Sequence, residues 1–322
     1  MQQVLASITS NTEIMPGIHL MWMEAPNIAA TAQPGQFITV QCEDCILRRP
    51  FSIHQVVVAS EAKQSQIALL FKVVGKGTLW LSQRQSGDKV DVLGPLGKGF
   101  SLPSVIARRP ERQRRNLPRQ SKNLLLVAGG VGIAPLIFLA QNASSQHSII
   151  LIHGALTARE LYPLSLLPEI IQFVPVTEDG SVGKKGLATD VLPDFLDWAD
   201  QIYACGPIDM YKQLAADSYQ LKATTCHSEP SAPCRSEGAL RCPCHSEHSE
   251  ESQRSGQALR PKNLTQDKSK LKKCQVSLEV RMGCGSGACY GCTINTKKGL
   301  KQVCRDGPVF ELDDIIWEEV RI

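Results

Sequence analysis

A small antiparallel β-barrel, a parallel α/β sheet and a short cysteine-rich module, in that order, are the architecture this sequence predicts. Three observations carry the prediction. Residues 1–103 are β-branched or alternating runs punctuated by glycine and proline; from about residue 122 apolar strands alternate with helical stretches; and nine of the 12 cysteines lie beyond position 225. Short strands at close spacing favour a barrel. Strands alternating with helices favour a parallel sheet wound with helices. A segment of under ~50 residues, too small to hold a core unaided, usually leans on a metal or a disulfide.

In the first region the runs 36–42, 51–58, 67–74 and 89–93 read as strands, separated by turns at Pro34-Gly35, Gly75-Lys76-Gly77 and Gly94-Pro95-Leu96-Gly97. In the second, 123–127 is a continuous apolar strand followed by glycines and a helical stretch over 134–141. Further strands are expected at 148–153, 171–176 and 201–204, and helices at 187–198 and 208–221. The expected division is a barrel over 1–103, a nucleotide-binding α/β domain over 122–222, a low-complexity segment over 223–273 and a cysteine module over 274–322.

Three segments fit none of these patterns: 57–66, 105–122 and 223–273. His-Ser-Glu recurs at 227, 245 and 248, and Arg-Pro followed by Asn-Leu occurs at both 109–117 and 260–264, which reads as inserted, related repetitive sequence. So little apolar surface cannot offset chain entropy, and 223–273 is expected to be largely disordered.

Composition excludes several classes of function. A net charge of +4, from 35 basic and 31 acidic residues, is too slight to imply a nucleic-acid partner, and 5% aromatic residues make a poor stacking platform for bases. The longest apolar run of low charge, 124–140, has 17 residues and is broken by Gly129, Gly130, Gly132 and Pro135. A bilayer span needs ~20, so no membrane helix is expected. The first residues carry neither a basic n-region nor an apolar h-region. A cytoplasmic setting follows as the expectation, and in that setting clustered cysteines are more often ligands than staples.

Cys284, Cys289, Cys292 and Cys304 have the spacing C-x4-C-x2-C-x11-C, and Gly283, Gly285, Gly287 and Gly291 lie among the first three. Glycines let the backbone curl round an inorganic core and turn its amides towards sulfide. Plant-type [2Fe-2S] sites use C-x4-C-x2-C and a distant fourth cysteine. Zinc is the rival occupant, since four thiolates also suit a tetrahedral ion, but structural zinc usually takes two C-x2-4-C knuckles, and only 289–292 offers one. Cys226, Cys234, Cys242 and Cys244 belong to the low-complexity segment, while Cys42, Cys45 and Cys274 read as small apolar fillers.

Four further motifs suit flavin and nucleotide. Arg49-Pro50-Phe51-Ser52 lies in a barrel strand, where an arginine can neutralise a pyrophosphate and a serine hydroxyl can bond a flavin ring; strand alternation sets Phe51 on the face opposite Pro50 and Ser52. Gly75-Lys76-Gly77-Thr78 follows an apolar strand and opens a helix, offering bare amides to phosphate. The run 124–136, LLLVAGGVGIAPL, is a buried strand, a glycine turn at Gly129, Gly130 and Gly132, and a helix start. It has no strict G-x-G-x-x-G. Cys205-Gly206-Pro207 ends another strand, and ligands of open α/β sheets bind at such carboxyl ends.

RRPFSI, VVGKGT, GPLGKGF, AGGVGIAPL, CGP and CGSGACYGC occur in the order that resembles the electron-transfer subunits of two-subunit, NAD-dependent dihydroorotate dehydrogenases, within the ferredoxin-reductase superfamily. The resemblance covers nearly the whole chain apart from the three odd segments. It implies FAD held by Arg49, Pro50, Phe51, Ser52, Gly75, Gly77 and Thr78, and NAD contacted by Gly129, Gly130, Gly132, Cys205, Gly206 and Pro207. It also implies a [2Fe-2S] cluster on the four cysteines and a hetero-oligomer, a heterotetramer, with an FMN-containing catalytic subunit that oxidises dihydroorotate in pyrimidine biosynthesis. Two alternatives stand beside it: another NAD(P)H–flavin–iron–sulfur reductase, serving sulfide, ferredoxin or an oxygenase, and a cofactor-free relic left by the insertions.

Overall fold

The structure is a computed structural model and describes residues 1–43, 45–59, 65–103, 121–225 and 272–320, with the backbone alone for 217–225. Most of 105–122 and 223–273 therefore lies outside the described residues, as does the expectation of disorder there. The chain divides into a unit of Met1–Asp217 with Lys272–Ile322 and a second of Ser218–Leu271. Of the second, only the backbone of a helix end is described.

Six strands form a closed antiparallel barrel: β1 (Gln2–Met15), β2 (Ile18–Glu24), β3 (Phe37–Gln41), β4 (Arg49–Val57), β5 (Gln66–Lys72) and β6 (Lys89–Leu96), in the order β1-β2-β5-β4-β3-β6. Alternate side chains point inward, as the two-residue period requires, so Ile8, Met21, Met23, Ile38, Val40, Ile53, Ile67, Leu69, Val90 and Val92 fill one core. Helix α1 (Pro26–Ala29) adds Ile28 and helix α2 (Lys76–Ser82) adds Leu81 to the same core. Strands β1 and β2 escaped individual notice in the sequence because β1 has eight polar residues among its 14 and buries only three positions fully.

The second layer is a seven-stranded sheet built from β7 (Asn123–Gly129), β8 (Ser148–Ala155), β9 (Ile171–Thr177), β10 (Lys184–Lys185), β11 (Gln201–Cys205), β12 (Lys273–Ser277) and β15 (Val309–Glu311). Its order is β10-β9-β8-β7-β11-β12-β15, parallel throughout except for the antiparallel β12–β15 pair. Strand β7 is apolar and buried from Leu124 to Ala128 because it is covered on both faces. Helix α3 (Ile133–Ala143) is likewise apolar all round and buried from Ile133 to Ala140, the pattern of a helix enclosed by its neighbours, and turns polar only at Gln141 and Asn142. The helix expected over 187–198 is instead a four-residue α4 (Pro193–Leu196) preceded by turns. Asp190 there accepts the Leu187 amide at 2.7 Å and caps a turn, and Pro193 has no N–H with which to continue one. Helix α5 (Ile208–Thr225) follows β11.

Strand β12 pairs in register with β11, Ile202 opposite Cys274 and Ala204 opposite Val276, so the first strand of the cysteine segment completes the nucleotide sheet. The rest of that segment contributes the hairpin β13 (Thr293–Thr296) and β14 (Gly299–Gln302) and the short α6 (Val303–Asp306). One apolar core joins all three parts: Phe37 and Leu96 of the barrel, Leu125 and Ile202 of the sheet, and Cys292, Ile294, Cys304 and Trp317 of the C-terminal segment. Trp317 stacks on Tyr211 at 5.3 Å between ring centroids. Among the described residues no helix is long and apolar enough to cross a membrane.

Candidate functional site

A cavity of about 650 Å³ opens where barrel, sheet and C-terminal segment meet. The barrel supplies Arg49, Pro50, Phe51 and Ser52 from β4 and Phe71 and Lys72 from β5; Thr78 comes from α2, Val131 and Ala134 from the glycine-rich turn and α3, and 278–282 with Pro308 from the C-terminal segment. All four residues of the Arg-Pro-Phe-Ser run border the cavity, Phe51 included, even though its ring also leans on Phe71 at 5.6 Å. The run 278–282, Leu-Glu-Val-Arg-Met, is a wall that sequence reasoning missed. Its only signal was position, directly between β12 and the cysteine loop.

Helix α2 begins at Gly75 as its N-cap. The Thr78 hydroxyl accepts the amides of Val74 at 2.9 Å and Gly75 at 3.1 Å and donates to the Gly75 carbonyl at 3.0 Å, which fixes the turn. At Gly77 a Cβ would lie 3.2 Å from the Arg49 side chain and the Cys45 sulfur. Arg49 and the Gly75–Thr78 turn are thereby neighbours, as the two motifs require if they share one ligand.

The two glycine turns of the sheet also meet. Strands β7 and β11 are adjacent, with Cys205 opposite Ala128, so their carboxyl ends emerge together. A Cβ at Gly132 would sit 2.2 Å from the Cys205 carbonyl oxygen, and one at Gly129 would sit 2.6 Å from the Pro207 ring. Gly130 has φ +53° and open space where a Cβ would go. Of this group only the neighbouring Val131 borders the cavity. Cys205 is fully buried, and burial first, then the nearby Glu279, pushes its thiol pKa well above the ordinary value. The Tyr211 hydroxyl accepts the Gly206 amide at 2.9 Å and donates to the Ser277 carbonyl at 2.6 Å, tying the 205–207 turn to β12.

Two buried histidines brace this junction. His54 Nδ1 lies 3.0 Å from the Ala134 carbonyl, which can only accept, so Nδ1 carries the proton and Nε2 accepts from the Tyr162 hydroxyl at 3.0 Å. His153 Nδ1 accepts the Tyr162 amide at 3.3 Å, and its Nε2–H donates to the Gly130 carbonyl at 3.0 Å. Desolvation lowers both imidazole pKa values to about 4, so both rings are neutral. The chain of contacts runs from the flavin-motif strand to the glycine turn.

Four of the five cysteines of the C-terminal segment, Cys284, Cys289, Cys292 and Cys304, are free thiols arranged as two pairs. The Cys284 sulfur accepts amides from Ser286 at 3.4 Å, Ala288 at 3.2 Å and Cys289 at 3.4 Å, and it also contacts Cys289. The Cys304 amide donates to the Cys292 sulfur at 3.4 Å, and these two thiols adjoin each other. Desolvation works against the Cys284 thiolate, yet the amides of Ser286 and Cys289 outweigh it and bring the pKa down to about 6. Burial, and then Cys292, pushes Cys304 up to about 12. Positive φ at Gly285 (+70°), Gly287 (+89°) and Tyr290 (+56°) curls the loop. Among the described residues no three His, Cys, Asp or Glu side chains converge on a single ion position. Two thiol pairs wrapped in amides suit a two-iron cluster, with two thiolates for each iron, better than one tetrahedral zinc.

A family model for the iron-sulfur cluster binding domain of dihydroorotate dehydrogenase B matches residues 279–316. The dihydroorotate dehydrogenase B (NAD(+)) electron transfer subunit of Desulforamulus reducens is 32% identical over 318 residues, covering 95% of both chains. Its namesake from Caldanaerobacter subterraneus subsp. tengcongensis is 30% identical over 317 residues, covering 97% of this chain and 98% of the relative. Among solved structures, an NADH-dependent reduced ferredoxin-NADP oxidoreductase aligns with TM-score 0.69 and 23% identity over 98% of this chain and 91% of that one. A ferredoxin NADP+ reductase from Neisseria gonorrhoeae with bound FAD and NADP aligns with TM-score 0.51 and 18% identity over 68% and 92%. The two structures share the fold, and the full-length likeness to the curated relatives shows that this chain belongs to the family of dihydroorotate dehydrogenase B (NAD(+)) electron transfer subunits.

Proposed function

We propose that the chain holds FAD in the 650 Å³ cavity, a [2Fe-2S] cluster on Cys284, Cys289, Cys292 and Cys304, and NAD at the paired glycine turns. One observation carries the reading: a single cavity is bordered at once by the Arg49–Ser52 run, by the glycine turn of the sheet and by the segment that leads into the cysteine loop. Flavin is the group that exchanges two electrons with a nicotinamide and one at a time with an iron–sulfur centre.

The residues divide the work. Arg49 and the amides of Gly77 and Thr78 would neutralise and bond the pyrophosphate, while Gly75, its own amide held by the Thr78 hydroxyl, sets the turn that presents them. Pro50, Phe51 and Ser52 would orient the ring against the apolar wall of Phe71, Val131 and Leu278. Gly129 and Gly132 let the Cys205-Gly206-Pro207 turn close against the glycine turn as its second wall, and Gly130 leaves the open space at which a dinucleotide would approach the backbone. The amides around Cys284 stabilise thiolate before and after any ligand arrives. No pocket for an organic substrate is needed on this chain, because dihydroorotate would be oxidised on an FMN-containing catalytic subunit in a hetero-oligomer serving pyrimidine biosynthesis in the cytoplasm. NAD would be the acceptor.

Purified chain should be coloured, with flavin absorption near ~450 nm and a broad iron–sulfur shoulder, and should yield two irons, two sulfides and one FAD per chain. Cys304→Ser should lose most of the iron and sulfide while FAD remains. A colourless protein, or one with a single zinc, would overturn the proposal.

A further inference from the structure

The outer face of strand β3 holds one polar side chain with no account in the fold. Thr39 is 2% exposed, and its hydroxyl oxygen has no hydrogen-bond partner among the described residues. A buried hydroxyl without a partner gives up its water for nothing, and such groups usually mark a place where the protein meets something else.

The neighbours say what that is. A Cβ at Gly285 would lie 2.9 Å from the Thr39 methyl carbon and 3.6 Å from Leu96, so the cysteine loop lies directly on this side chain one residue after Cys284. Ile38 and Val40, on either side of Thr39, point into the barrel core, and alternation turns Thr39 outward towards the loop. The backbone carbonyl of Thr39 receives the Arg48 guanidinium at 3.5 Å, leaving the hydroxyl uncommitted. Among the described residues Asp91 Oδ1 is the other unpartnered buried side-chain atom, but its carboxylate is already bonded through Oδ2 to Arg48 and Gln3. Thr39 has no such compensation.

We propose that Thr39 donates a hydrogen bond from its hydroxyl to the sulfur of the cluster, a sulfide or the Cys284 thiolate, and so raises the reduction potential of the site. The inference rests on the cluster reading above. The physical reason is that a donor stabilises the more negative, reduced state more than the oxidised one, and hydrogen bonds to sulfur are among the levers that set such potentials. The barrel thereby contributes to the electronics of a cluster whose ligands all come from the far end of the chain.

The test compares Thr39→Val, which keeps the shape and the methyl contact but removes the donor, with Thr39→Ser, which keeps the donor. Both are made in the full chain, and each is read by iron and sulfide content and by an EPR-monitored redox titration. Thr39→Val should shift the cluster's one-electron equilibrium about tenfold towards the oxidised form, roughly 59 mV lower, with unchanged iron content, and should abolish one exchangeable proton coupling to the reduced cluster. Thr39→Ser should stay close to the parent. Equal potentials in parent and Thr39→Val overturn the proposal, as does an equal shift in both variants, which would assign the effect to the methyl. A parent chain with no [2Fe-2S] signal would remove the cluster reading together with the inference, whereas a normal signal with no Thr39 effect removes only the inference.

Discussion

Gly130 and Gly132 stand two positions apart in the same glycine-rich string and have opposite tolerances. A methyl at Gly132 would enter the Cys205 carbonyl at 2.2 Å, a backbone atom that cannot swing aside, while Gly130 has free space and needs only a left-handed backbone. Gly132→Ala should therefore cost about 3 kcal/mol and weaken NAD binding, while Gly130→Asn should cost under about 1 kcal/mol, since asparagine tolerates that conformation. Denaturant unfolding of the two variants distinguishes them, and equal losses would contradict the close-approach account. Nothing in the sequence separates these two glycines, because the difference depends on a strand about 70 residues away. The cysteine spacing, by contrast, was fully legible, since a loop that folds round an inorganic core must write its geometry into local residues. Cys205 was legible as a strand-end residue but not as a buried thiol among Tyr211 and Ser277.

Elements differ in the same way. Strands β7 and β8 were readable because burial on both faces gives each a continuous apolar run, 124–128 and 149–152, and α2 because glycine and threonine mark its start. The stretch 187–198 looked helical by composition, but side-chain capping by Asp190 and the missing amide of Pro193 cut it to four residues. The histidines of β4 and β8 lie 99 positions apart in sequence, and the fold links them through Tyr162. Their titration makes a prediction about these strands. An unfolded histidine titrates near 6.5, and His54 and His153 near about 4 in the fold, so the unfolded state binds more protons between those values. Stability from the two rings is intact above about pH 6.5 and declines as pH falls towards 4, by about 2 kcal/mol for each ring at pH 5. Denaturant unfolding at pH 7 and pH 5 should show the loss, and the double variant His54→Gln, His153→Gln should show a shallower one. An unchanged pH slope in the double variant would contradict the buried, neutral assignment.

At the scale of the molecule, what the sequence presented as successive regions is joined by pairing and by a shared core. Strand β12 completes the sheet of β7 and β11, the cysteine loop rests on the barrel at Thr39 and Leu96, and the cavity takes its walls from all three parts. Such a meeting of distant segments leaves no local mark, which is why the 278–282 wall was not anticipated while the Arg49–Ser52 run was. The same convergence is the central claim about function: one chain links nicotinamide, flavin and cluster in electronic contact. The direct test is an anaerobic titration of the purified chain with NADH, followed by visible absorption and EPR. The account predicts that NADH bleaches the flavin band near ~450 nm and raises the signal of a reduced [2Fe-2S] cluster in the same titration. Flavin that bleaches while the cluster stays oxidised even at a potential low enough to reduce it, or a chain whose spectrum NADH leaves unchanged, would contradict it.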